Sequence, residues 1–113
     1  MLKKKERVKV KEPEDPRRDV FSALACSRRI QIVELLRDGE KCASEIIPIL
    51  GIDQSAVSRH LSILKKVGIL ASRKKGVNVY YRIATESVFT LLEVASEIVE
   101  KRNKELLKKL KGS

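Results

Sequence analysis

Histidine, cysteine and aromatic residues are scarce in this chain, which has one histidine, two cysteines and 4% aromatic side chains among its 113 residues. A single histidine, with no carboxylate–histidine cluster around it, argues against a catalytic site, and we expect that the chain is not an enzyme. Few aromatic rings leave little surface on which single-stranded bases could stack, which argues against an RNA-binding protein.

Long apolar segments are also missing. There is no run of about twenty apolar residues, and the first residues, MLKKKERVKVKEPEDP, lack the apolar segment of a signal peptide. We therefore expect a soluble, cytoplasmic protein with no membrane contact. Two cysteines in that compartment are not expected to form a structural disulfide.

Positive charge is what the chain has in excess. Lys and Arg number 25 against 15 Asp and Glu, giving a formal charge of +10. This excess favours a polyanionic partner, but charge alone leaves DNA, RNA and an anionic membrane surface open. Residues 1–15 are predicted to be a flexible basic arm, either a solvated tail or a source of phosphate contacts. Residues 16–113 are predicted to form one domain with a modest core.

The segment DQSAVSRHLSILKKVGIL, residues 53–70, predicts a recognition helix. Asp53 is a favoured N-cap, and Val57, Leu61 and Leu64 recur at helical spacing to form a buried stripe. The other face carries short hydroxyls, an amide and cations, which are the donors that phosphates and base edges in a major groove require. These candidate DNA-binding residues are Gln54, Ser55, Ser58, Arg59, Ser62 and Lys65, with His60 between the two faces.

The preceding segment, KCASEIIPIL, predicts the first helix of a helix-turn-helix. Gly51 suits a left-handed C-terminal cap, and residues 51–53 make the tight connection between the two helices. Pro48 lacks a backbone donor, so we expect this helix to start late, with Pro48 in its first turn, or to be kinked.

After the recognition helix, ILASR and VNVYYRIA predict a β-hairpin whose turn is formed by Lys74, Lys75 and Gly76. A basic hairpin in this place is a wing, whose tip would follow the phosphate backbone or enter the minor groove. The wing residues predicted to contact DNA are Arg73, Lys74, Lys75 and Asn78.

Helices are also predicted near both ends of the domain. Asp15 precedes a short first helix, and a second helix begins at Cys26 or Ser27. Its predicted buried residues are Ile30, Ile32, Val33 and Leu36. The last helix follows Thr85, a suitable N-cap, and continues for about 24 residues, or about 36 Å.

The apolar stripe of the last helix is longer than one small domain can cover, so we expect dimerisation through it; packing against the first helix alone is the alternative. Candidate dimerisation residues are Val88, Leu91, Leu92, Ala95, Ile98 and Val99, and the stripe continues to Leu106 and Leu110. A two-fold dimer would place recognition helices on a pseudo-palindrome with half-sites about 34 Å apart.

The order ALACSRRIQIVELL, AVSRHLSILKKVGIL and wing, over roughly residues 17 to 100, resembles the ArsR/SmtB family of winged-helix repressors. The strongest matching pieces are VSRHL and LKKVGIL. The resemblance implies a mainly α fold with a β-hairpin wing, in the order α-α-α-α-β-β-α. It also implies a homodimeric repressor that binds double-stranded DNA until an inducer releases it. A winged helix that binds protein or RNA remains the alternative.

The resemblance leaves the inducer open. In arsenic-sensing members two cysteines stand one residue apart, and a third sometimes follows one turn later. Here the first position is Cys42, but the second is Ser44 and the third is Ile47. Zinc-sensing members use Asp and His pairs on the last helix, where this chain has Glu86, Glu93, Glu97 and Glu100. No cofactor is required.

The two cysteines, Cys26 and Cys42, have three interpretations. They are small buried hydrophobic residues, a redox pair, or ligands of a thiophilic, arsenite-type effector. For His60 we expect a phosphate contact or a hydrogen bond within the domain rather than a metal.

Overall fold

Five helices and three strands make up the part of the chain that a computed structural model describes, residues 13–112. Most of the predicted basic arm, residues 1–12, lies outside this range. In chain order the elements are α1 (Arg17–Leu24), α2 (Ser27–Leu35), β1 (Lys41–Cys42), α3 (Ala43–Leu50), α4 (Gln54–Lys66), β2 (Leu70–Lys75), β3 (Asn78–Ile83) and α5 (Ser87–Gly112). The predicted winged helix-turn-helix is confirmed. One strand, β1, was not predicted, since its two residues are too few to show an alternating pattern.

The wing is part of a three-stranded antiparallel sheet with strand order β1-β3-β2. Pairing of β2 with β3 continues to Lys75 opposite Asn78, so the predicted turn at Lys74–Gly76 is wrong. The turn is formed by Gly76 and Val77, with φ +63° at Gly76 only. A two-residue hairpin turn of type II′ requires glycine at its first position alone, which leaves both lysines in the strand.

The core lies between the helix-turn-helix, α2, the start of β2 and the start of α5. Val57, Leu61 and Leu64 are fully buried, as their spacing predicts. In α2 the predicted burial of Ile32 and its neighbours is confirmed, but Ile30 is only half-buried. Phe89 also belongs to the core, although it was not among the predicted apolar residues of the last helix. It is 9% exposed, and Cζ of Arg37 lies 4.0 Å from the centre of its ring.

Helix α3 begins at Ala43, so the predicted late start before Pro48 is wrong. Its first turn is stabilised in advance of the proline, because the Glu45 carboxylate accepts the backbone N–H of Cys42 at 3.1 Å. The helix ends at Gly51 with φ +66°, the predicted left-handed cap.

Helix α5 is the longest of the described helices. Thr85 Oγ1 accepts the backbone N–H of Ser87 at 3.4 Å, and the helix then continues for 26 residues. Only Val88 and Phe89 at its start are buried. Within residues 13–112 no helix is long and apolar enough to cross a membrane.

Candidate nucleic-acid interface

The outward side of α4 carries every polar side chain that the sequence assigned to it. Asp53 Oδ1 accepts the N–H of Ala56 at 3.1 Å, which fixes the start of the helix at Gln54. Because Val57, Leu61 and Leu64 face the core, the positions on the opposite side of the helix point to solvent. The exposed residues are Gln54, Ser55, Ser58, Arg59, Ser62 and Lys65.

His60 lies half-buried between these two faces and takes part in a hydrogen bond within the domain. Its Nδ1 is 3.3 Å from Arg29 Nη1, and Arg29 Nε donates to the Ala23 carbonyl at 2.6 Å. Burial, together with Arg29, Arg59 and Arg28, lowers the pKa of His60. A neutral ring has one acceptor nitrogen, so Nδ1 accepts from the guanidinium. No sequence signal marked Arg29, which is 31 residues away from its partner.

Arg28, the neighbouring residue of α2, makes a similar contact to α3, the other helix of the helix-turn-helix. Its Nη1 donates to the carbonyl of Leu50 at 3.1 Å, at the C-terminus of α3. A cation at that end of a helix satisfies an unpaired carbonyl and complements the helix dipole. The two arginines of α2 therefore hold both helices of the helix-turn-helix.

The wing carries cations with different surroundings. Lys74, Lys75 and Asn78 are exposed beside the turn, and within residues 13–112 neither lysine has an ion-pair partner. Arg73, in contrast, donates from Nε to Glu40 Oε2 at 2.9 Å and from Nη2 to Glu40 Oε1, and it lies 5.4 Å from the centre of the Tyr80 ring. The pairing with Arg73 lowers the pKa of Glu40.

The two cysteines are free thiols in different surroundings. Cys42 is buried, with its Sγ 2.9 Å from Ser44 Oγ and 3.2 Å from Glu45 Oε1, whereas Cys26 is half-buried. Residues 13–112 contain no group of three or more His, Cys, Asp and Glu side chains placed to hold a metal ion. The glutamates that were considered as ligands are all exposed; Glu86 lies just before α5, and Glu93, Glu97 and Glu100 lie within it.

An apolar groove of 380 Å³ runs between α1 and α5. Of its lining residues, Phe21 is 59% exposed, Val94 47% and Ile98 68%. Val88, in contrast, is 4% exposed in the core, and Val99 lines a second groove beside Ile30. The full lining is Phe21, Leu24, Ala25, Ile30, Leu91, Leu92, Val94, Ala95 and Ile98. The α1–α5 groove is thus an uncovered apolar surface on the single chain.

A family model, "Bacterial regulatory protein, arsR family", matches residues 26–72, from the N-cap of α2 into β2. The transcriptional regulator Rv0324 of Mycobacterium tuberculosis is 38% identical over 81 residues, 69% of this chain and 36% of that protein. The repressor SmtB of Mycobacterium tuberculosis is 39% identical over 66 residues, 58% of this chain and 49% of that protein. The chain therefore spans about a third to a half of these two relatives. It spans 91% of the uncharacterised regulator MJ1325 of Methanocaldococcus jannaschii, at 35% identity, and that match covers 71% of this chain.

Solved structures share the fold. The domain of Mb0332 from Mycobacterium bovis, described as a homodimeric winged helix-turn-helix DNA-binding domain, matches with a TM-score of 0.70 and 33% identity, covering 80% of this chain and 84% of that one. HlyU from Vibrio cholerae matches with a TM-score of 0.65 and 30% identity, and the match covers 74% of this chain and 90% of that one. This chain matches the arsR family model, and it spans most of the length of relatives that are more than 30% identical to it. The chain therefore belongs to the ArsR family of bacterial regulatory proteins.

Proposed function

We propose that this chain is a sequence-specific DNA-binding transcription regulator that acts in the cytoplasm as a homodimeric repressor. The observation that carries the proposal is the outward face of α4, where polar and cationic side chains stand on a helix fixed by a fully buried stripe. A rigid helix with short polar side chains fits a major groove, where base edges present a distinct pattern of donors and acceptors.

The roles of the side chains follow from their reach. We assign base or phosphate contacts in the major groove to Gln54, Ser58 and Arg59, because they are exposed on the first two turns of α4. Lys74 and Lys75 on the wing would neutralise phosphates on the flanking backbone. Supporting polar contacts are assigned to Ser55, His60, Ser62, Lys65 and Asn78.

The α1–α5 groove is proposed to be covered by the same groove of a second copy. Its lining is almost entirely apolar, and side chains such as Ile98 would lose contact with water in a symmetric pairing. The homodimeric state of the Mb0332 domain, which has the same fold, supports this occupant. Two recognition helices would then address a pseudo-palindromic operator.

Selection from a pool of random duplexes tests the proposal. We expect the bound fraction to converge on a pseudo-palindrome with half-sites about 10 bp apart, and single-stranded RNA of the same sequence to compete poorly. Binding to all duplexes alike would contradict sequence specificity. Retention of a protein partner, unaffected by salt and with no duplex bound, would favour a protein-interaction module instead.

We further propose that an effector releases the operator by acting on a thiol, either through oxidation or through a thiophilic metalloid. Cys42 is better placed to transmit such a change, because it stands opposite Tyr80 of β3 and immediately precedes α3, whereas the half-buried Cys26 is the more accessible thiol. A gel shift on the DNA upstream of its own gene, with and without reductant and with arsenite, tests this. Binding that is unaffected by either treatment would make Cys26 and Cys42 structural residues.

A further inference from the structure

Arg73 crosses the whole width of the three-stranded sheet. It stands on the outer strand β2 directly opposite Tyr80 of the central strand, and Tyr80 in turn stands opposite Cys42 of β1. Its guanidinium lies over the Tyr80 ring and reaches Glu40, the residue before β1, with Nε 2.9 Å from Oε2 and Nη2 on the other carboxylate oxygen. One side chain therefore connects the far edge of the wing to the body of the domain.

We propose that Glu40 and Arg73 form a tie that sets the angle of the wing relative to the recognition helix, so that Arg73 is a positioning residue and not a phosphate contact. This inference rests on the proposed function. The guanidinium of Arg73 donates two hydrogen bonds to one carboxylate and lies over the Tyr80 ring. The pair of N–H groups that would bind a phosphate in bidentate fashion is therefore already in use. Lys74 and Lys75 remain as the exposed cations of β2 available for phosphate contacts.

The tie matters for the outer half of the wing, because packing on the core holds only the inner half, through Leu70, Tyr81 and Ile83. Strand β1 has two residues and contributes two register pairs, Lys41 with Tyr81 and Cys42 with Tyr80. Burial along β2 falls from Leu70, which is 2% exposed, to an exposed outer half. A two-stranded hairpin alone is marginally stable. The tie ends beside β1, which leads directly into α3, so it links the wing to the helix-turn-helix.

The salt dependence of binding separates a tie from a phosphate contact, because each phosphate contact adds about 0.9 to the slope of log K against log salt. The variants are Arg73→Gln, Arg73→Lys and Glu40→Gln, with Lys74→Gln as the matched control on the same strand. The three side chains that these four variants change are exposed, so the fold should be retained. Each variant is titrated with the selected operator and with an unrelated duplex over a range of salt.

For a tie, Arg73→Gln leaves the slope unchanged and lowers the ratio of operator to unrelated affinity by about two- to fivefold, the usual range for a surface ion pair. Arg73→Lys lowers the ratio similarly despite its charge, because it lacks the fork. Glu40→Gln releases Arg73 to a phosphate and steepens the slope by about 0.9, whereas Lys74→Gln flattens it by about 0.9. A slope flattened by Arg73→Gln and restored by Arg73→Lys would overturn the inference.

Amide hydrogen exchange in the free protein tests the Glu40–Arg73 tie without DNA. A negative result for the tie can therefore be distinguished from a failure of the proposed DNA-binding function. We expect Glu40→Gln and Arg73→Gln to speed exchange of the β3 amides about two- to fivefold relative to Lys74→Gln, since an exposed ion pair stabilises by less than about 1 kcal/mol. Unchanged exchange in Glu40→Gln would overturn the inference even if no duplex were bound.

Discussion

His60 is the residue through which the recognition helix makes a polar side-chain contact with α2. Its ring accepts from Arg29, which also binds the last turn of α1 at the Ala23 carbonyl. Burial of the ring and the positive charges of Arg29, Arg59 and Arg28 disfavour protonation of His60 and lower its pKa. The neutral form of the residue therefore belongs to the folded state.

This environment predicts a pH dependence of stability. Because the pKa of His60 in the folded chain lies below its ordinary value of 6.5, the neutral ring contributes stability that is fully present above pH 6.5. That contribution is lost as the pH falls through the folded pKa. Glu40, Glu45 and Asp15 also have lowered pKa values, but they titrate below 4.5 and leave the range between pH 7 and 5 to His60.

Urea unfolding at pH 8 and at pH 5 measures the effect. In His60→Asn the amide oxygen is bonded to Cγ, as Nδ1 is, so it can still accept from Arg29 but does not titrate, and we expect the loss of stability on acidification to shrink. At pH 8 the variant and the parent should be closely similar. An equal loss in both proteins between pH 8 and 5 would show that His60 does not cause it.

The ends of the elements were partly predictable from the sequence. The N-cap Asp53 and the C-cap Gly51 were identified because single residue types mark such positions. The cap of α3 was missed because its N-cap is Cys42, which is not a usual capping residue, although Glu45 three residues later completes it. The predicted turn of the wing begins two residues early, at Lys74, because lysine is not a typical strand residue, whereas exposed positions of a paired strand tolerate it.

Contacts between distant elements could not be predicted. Periodicity shows that a face is exposed or buried, but it does not pair Arg29 with His60 or Arg73 with Glu40, which lie 31 and 33 residues apart. The outward face of α4 was predictable because it depends only on the helical period. The pairing of Arg73 with Glu40 was not predictable, because it depends on the order of the strands in the sheet.

The cap of the recognition helix provides a prediction at the scale of an element. Asp53→Ala removes the acceptor for the Ala56 N–H, and we expect the free energy of unfolding to fall by about 1 kcal/mol. Asp53→Asn keeps an acceptor and should lose only a small part of this. Chemical denaturation of both variants is the measurement, and equal destabilisation by Asn and Ala would contradict a capping role.

At the scale of the whole molecule, two of the exposed apolar residues of α5, Ile98 and Leu107, differ in their surroundings. Ile98 lines the α1–α5 groove and is 68% exposed, whereas Leu107, 55% exposed, lies outside that groove. Ile98→Glu should weaken dimerisation on the order of 100-fold or more, because two isoleucines, each contributing about 1.5–3 kcal/mol of burial, are lost from a symmetric interface.

The matched variant Leu107→Glu introduces the same charge on the same helix and should leave the dimer intact. Sedimentation over a range of protein concentrations measures both. Since both side chains are exposed in the single chain, neither variant should unfold it. Equal dissociation constants for the two variants would show that the α1–α5 groove is not the dimer interface.

The central claim is that α4 reads base edges, and Arg59→Ala tests it most directly. Affinity is measured at one fixed salt concentration on the selected operator and on a scrambled duplex of the same length. We expect the variant to lose about 1–3 kcal/mol, or roughly 5- to 150-fold, on the operator and much less on the scrambled duplex. Equal weakening on both duplexes would contradict base reading by Arg59 and reduce it to a phosphate contact.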